Sequence, residues 1–114
     1  MGTIAVLRTP ISRQELQQYT LDGEMVKAVV DVAQGIMAVG GDLHADEEVV
    51  LLEAGARQHD LWGINLYPDL PSDDWIEFDS MINLRPSQGN RSRGVDDPTV
   101  RERIRVVLSR LVPA

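Results

Sequence analysis

The stretch from Glu24 to Val32 alternates strictly enough to dictate what the rest of the chain must do. Val26, Ala28, Val30 and Val32 fall on one side of an extended backbone, with Met25, Lys27, Val29 and Asp31 on the other, and β-branched residues are frequent. That pattern predicts a half-buried strand. Ala33-Gln34-Gly35 then supplies a tight turn with glycine where positive φ is tolerated, and Ile36 to Val39 returns as a second strand. A hairpin with an apolar face needs a larger sheet and a cover, so the remaining segments must provide further strands and helices.

Two helices are signalled at their ends. Ser12 and Glu15 have capping-box spacing ahead of Leu16 and Tyr19, which predicts a helix from Ser12 to Thr20, ending near Gly23. Asp97-Pro98 is an N-cap followed by proline at the first helical position, and Val100, Ile104, Val107, Leu108 and Leu111 form a helical stripe. Between Asp46 and Ala54 an acidic start capped by Asp46 and a terminating Gly55 favour helix, while Val49-Val50 keeps strand open. Leu61–Tyr67 and Trp75–Arg85 read as two more strands, joined through Pro68, Pro71, Ser72, Asp73 and Asp74. The expected fold is a single α+β domain over residues 1–114. Its form is a two-layer sandwich of a mainly antiparallel four-stranded sheet with three helices, in the order α-β-β-α-β-β-α.

A chain of 114 residues, 43% apolar and 25% charged, suits one hydrophobic core. Eighteen acidic against eleven basic residues give a net charge of -7, which repels phosphate backbones and disfavours nucleic acid as a partner. The absence of cysteine excludes disulfides, thiolate metal sites and cysteine nucleophiles. The opening Met1–Val6 has no secretion-signal or myristoylation pattern, and no apolar run approaches the ~20 residues needed to span a bilayer, so a cytoplasmic protein away from membranes is expected.

Alternation across Trp75–Arg85 puts Ile76, Phe78, Ser80, Ile82 and Leu84 inward and Trp75, Glu77, Asp79, Met81, Asn83 and Arg85 outward. With Asn65 and Tyr67 from the preceding strand, these outward residues would converge on one polar face. That face reads as a solvated surface, a self-association surface or a ligand site, with Trp75, Tyr67 and Met81 favouring an interface. Beyond it, Arg85, Asn90, Arg91 and Arg93 lie in a loop with two serines and two glycines. Such a loop can cradle an anion or an acidic partner, or pair its arginines with carboxylates of the protein itself. A second constellation is Asp42, His44 and Asp46, which in an extended segment share a side and offer carboxylate, imidazole, carboxylate to a metal or a proton transfer, with Glu77 or Asp79 as helpers. The plainer reading makes Asp46 a helix cap and His44 an exposed residue.

The segments Met25–Val32, Gly40–Asp46, Leu61–Pro68, Ile82–Pro86 and Gly89–Arg93 together resemble a family of small uncharacterised bacterial proteins, a domain of unknown function. The resemblance spans nearly the whole chain and implies no catalytic residues. The expectation is therefore a binding and interaction domain rather than an enzyme, without cofactor or bound metal. It would be a homo-oligomer, a dimer by preference, joined through the polar sheet face, with the arginine loop open to a small anionic ligand. The alternative is a metal-dependent hydrolase using His44 with Asp42, Asp46 and a strand carboxylate.

Overall fold

A computed structural model describes residues 3–113; Met1, Gly2 and Ala114, the ends of the expected domain, lie outside it, as do the side chains of Ser72 and Asp73. The elements are β1 (Ala5–Leu7), α1 (Arg13–Leu16), β2 (Val26–Asp31), β3 (Ile36–Val39), α2 (His44–Glu53), β4 (Leu61–Leu66), β5 (Ile76–Glu77) and α3 (Pro98–Leu111). The strands form one open antiparallel sheet in the order β1-β3-β2-β4-β5. The fold is α+β, with five strands rather than four and β1 ahead of the expected order. β1 is only three residues long, too short for alternation to announce it.

The two central strands are buried nearly throughout, and this decides the layering. Val26, Ala28 and Val30 of β2 and Trp62, Ile64 and Leu66 of β4 pack with Ile104, Val107, Leu108 and Leu111 of α3 in the main core. At about 1.5–3 kcal/mol per buried aliphatic side chain, those four residues hold α3 to the sheet. On the opposite face, Val29, Ile36, Ala38 and Leu61 pack with Leu51 of α2 in a second core. Helices therefore cover both faces, and the two-layer expectation is corrected. The cause is the apolar alternate positions of the inner strands, which cannot be left to water.

Local signals held where chemistry was local. Ser12 Oγ accepts from the Glu15 N–H while the Glu15 carboxylate accepts from the Ser12 N–H, completing the capping box, although α1 tightens into a 3₁₀ turn at Gln17–Tyr19. Asp97 caps α3 through the Thr99 N–H. The ambiguous segment is helix, but its N-cap position is Leu43, which offers no side-chain acceptor, so Asp46 is a first-turn residue rather than the cap. In the β2–β3 turn the Asp31 carboxylate accepts from the Ala33 and Gln34 N–H groups, and Gly35 has φ +70.

The expected strand from Trp75 to Arg85 survives only as Ile76–Glu77; Met81–Asn83 and Pro86–Gln88 are 3₁₀ turns. Ser80 Oγ accepts from the Ile82 N–H at 3.3 Å and starts the first turn, an instance of a side chain outcompeting the ladder. The inward-outward phase holds over Ile76–Phe78, with Ile76 and Phe78 on the main core and Glu77 exposed, and fails on either side of it. Trp75, expected on the polar face, is buried in the main core under the Arg13 guanidinium, 4.1 Å from its ring centroid, whereas Ile82 packs on the second core. Gly63 makes this crossing possible: a Cβ there would lie 2.5 Å from Ser80 Cβ and 3.1 Å from Ile82 Cγ1. Gly63→Ala is expected to cost about 2 kcal/mol by forcing the segments apart, read as a lower denaturation midpoint; an unchanged midpoint would contradict the packing.

Candidate binding site beside the first turn of α2

The loop from Asn83 to Arg93 is held by its own side chains. Asn83, fully buried, donates from Nδ2 to the Gly63 carbonyl at 2.9 Å and accepts from the Gly63 N–H at 2.9 Å, so its amide takes the place of a neighbouring strand just past β5. Nδ2 also reaches the Arg93 carbonyl. Asn90 is buried, points Nδ2 at the carbonyls of Asn83, Ser92 and Gly94, and accepts from the Asp96 N–H. Both asparagines thus organise backbone.

The arginines divide. Arg85 donates to the carbonyls of Ile82, Gln58 and Leu61 and stacks on Trp62 at 4.6 Å, and burial lowers its pKa against the opposing influence of Glu48. Arg93 Nε donates to Asp79 Oδ1 at 2.7 Å in an ion pair. Arg91 is exposed. The loop does hold an anion, and the anion is its own Asp96: that carboxylate accepts from Ser92 Oγ at 2.5 Å and from the Arg91 N–H at 2.8 Å. These two hydrogen bonds, Ser92's first, lower the Asp96 pKa.

A different group of polar residues lies on the α2 face of the sheet. Lys27 stands directly across from Asn65, and Asn65 from Glu77, in a row over β2, β4 and β5. Asn65 is buried and donates from Nδ2 to Glu77 Oε1 at 2.8 Å and to the Asp79 carbonyl at 3.2 Å; its Oδ1 is buried without a partner among the described residues. Because Nδ2 points toward β5, Oδ1 is turned away from it. Tyr67 donates its hydroxyl to Glu77 Oε1, and burial, then the Glu77 charge, raises its pKa.

The first turn of α2 closes over this row. His44, Glu47 and Leu51 are its buried residues, spaced to share one side of the helix. His44 Nε2 lies 2.8 Å from the Ile64 carbonyl, which can only accept, so Nε2 carries hydrogen and Nδ1 is left as an acceptor. Burial lowers the His44 pKa, opposed by that bond, with Lys27 lowering it further. Glu47 is fully buried. Its Oε2 accepts from the Gly41 N–H at 2.9 Å, its Oε1 has no partner among the described residues, and burial pushes its pKa up to about 9. Glu47 is therefore a neutral acid at pH 7, and with Oε2 occupied as acceptor its proton belongs on Oε1.

The residues expected from sequence are thus regrouped. Asn65, Tyr67, Glu77 and Asp79 do come together, joined by Arg93. Asn83, Arg85 and Asn90 are spent within the loop. His44 turns inward, while Asp42 and Asp46 are exposed, so these three do not share a side; among the described residues no three His, Asp or Glu side chains gather as a metal site. Lys27 and Glu47 were not singled out, although the chain's one lysine, set among valines and alanine in a strand, and an acid three residues after His44 were visible signals.

No curated protein and no solved structure matches the chain. A family model described as protein of unknown function (DUF5674) matches residues 5–111, and to that family the chain belongs.

Proposed function

We propose that this domain binds a small zwitterionic ligand, of the amino-acid type, where the first turn of α2 meets Lys27 and Asn65. The observation that carries the reading is the pair of buried oxygens without a partner among the described residues, Asn65 Oδ1 and Glu47 Oε1, on the face that also holds Lys27. Buried polar atoms are ordinarily satisfied, and unsatisfied ones each cost about 1–3 kcal/mol, so a molecule supplying the missing partners binds favourably. A carboxylate would accept from Lys27 Nζ and from the Glu47 proton. A neighbouring ammonium would donate to Asn65 Oδ1, in the field of Glu77 and Asp79. Arg93 is neutralised by Asp79, which leaves Lys27 as the cation available to the ligand.

Titrating ¹⁵N-labelled protein with individual amino acids, acetate and methylammonium tests this. The expected result is that an amino acid shifts the amides of Gly41, His44 and Asn65 more than either half-molecule does, with Lys27→Met weakening it at least about tenfold, the loss of roughly one charge-assisted hydrogen bond. Silence at those amides with every probe, or unchanged affinity in Lys27→Met, overturns the reading.

A further inference from the structure

We infer that the outer face of α3 is a docking surface for the outer face of α2 in a second copy of this chain. α3 carries four arginines and one glutamate on a protein of net charge -7. Glu102 is held by Arg105 at 3.9 Å, and Arg101 bonds the Val95 and Asp96 carbonyls. Arg103 and Arg110 reach across to carbonyls of the β2–β3 turn, Arg103 to Val32 and Arg110 to Gly35, and among the described residues neither has a carboxylate partner. Between them Val106 is 57% exposed. The helix and the turn frame a groove of about 370 Å³ with Val32, Val106 and Val107 in its lining.

The turn is shaped for this arrangement. A Cβ on Gly35 would lie 2.1 Å from Arg110 Nη2, so glycine both permits the positive φ and clears space for the guanidinium. Arginines held in place lose less side-chain entropy on pairing with a partner than free ones do.

The chain itself carries a matching surface. Along α2, Asp46, Val49 and Glu53 are exposed, with Val49 at 52%, and among the described residues neither acid has a cationic partner. Their spacing, acid to valine to acid, repeats that of Arg103, Val106 and Arg110, with both charge pairs about 10 Å apart along their helices. Val49 and the adjoining Leu52, 37% exposed, are aliphatic groups of a size to enter the α3 groove. The two cores put α2 and α3 on opposite faces of the sheet, so the contact is head-to-tail and leaves an unused face at each end. At ionic strength near 0.1 M the Debye length of about 10 Å screens repulsion between two acidic bodies more than it screens contacts at ~4 Å.

Sedimentation velocity over a concentration series near 0.1 M salt tests the proposal. The expected result for the wild-type chain is a mass that rises with concentration beyond the monomer. Arg103→Glu with Arg110→Glu, and separately Asp46→Lys with Glu53→Lys, should each remain monomeric; the second pair avoids the hairpin contact of Arg110. Mixing the two variants should restore association, because each then offers the face the other lacks. A wild-type chain that stays monomeric throughout overturns the proposal, as do variants that associate like wild type or a mixture that stays monomeric. The amide shifts that test the Lys27 site are read separately from any of these outcomes.

Discussion

Replacing Glu47 by glutamine is expected to stabilise the fold by about 3 kcal/mol at pH 7 and to change little at pH 4. Burial raises the carboxyl from an ordinary 4.5 to about 9, so the folded state binds the proton far more tightly than the unfolded chain. The contribution of this group is fully present below pH 4.5 and is lost progressively as pH rises toward 9, each unit costing about 1.4 kcal/mol. Glutamine never titrates in this range. Its carbonyl can keep the Gly41 N–H bond, and its amide N–H₂ stands where the acid proton was. Urea denaturation of both proteins at several pH values isolates the effect in their difference; a difference that stays flat from pH 4 to pH 8 would contradict a neutral buried acid.

The second large effect concerns Asn83. Asn83→Ala removes the paired bonds to Gly63 and the bond to the Arg93 carbonyl from a fully buried position. The backbone groups left behind are costly to strand, and a loss of about 4 kcal/mol follows. For a domain of this size that corresponds to a fall in Tm on the order of 20 °C. Hydrogen exchange gives a local reading, since the Gly63 amide should lose protection ahead of the amides that pair β2 with β3. A loss under about 1 kcal/mol would mean that Asn83 is replaceable and that the strand-like pairing carries little.

How much of this was legible in the sequence follows the range of the interactions. The capping box at Ser12, the Asp97-Pro98 start of α3 and the hairpin at Gly35 were readable because the residues that decide them are neighbours. Alternation misled past Asp79, because a period of two persists in the letters after Ser80 has turned the backbone through the Ile82 N–H and Asn83 has tied it to Gly63 of β4. The site beside α2 was hidden by one undecided element. With Asp46–Ala54 open between helix and strand, nothing set Glu47 apart from its acidic neighbours; once the segment is helix, His44, Glu47 and Leu51 fall on one side and that side meets the sheet. Pairing of the loop's arginines with the protein's own carboxylates was one of the readings offered, and Arg93 does pair with Asp79, but Asp96, held by Ser92 Oγ and the Arg91 N–H, was not singled out.

The sheet ends in a three-residue strand on one side and a two-residue strand on the other, and past the latter the Gly63 backbone is already taken by a side chain. Such borders give an incoming extended chain almost nothing to zip onto. Growth by adding strands, the usual route from an open sheet to fibrils, is therefore blunted at both margins, and a crowded or refolding solution of this protein should resist amyloid-type aggregation.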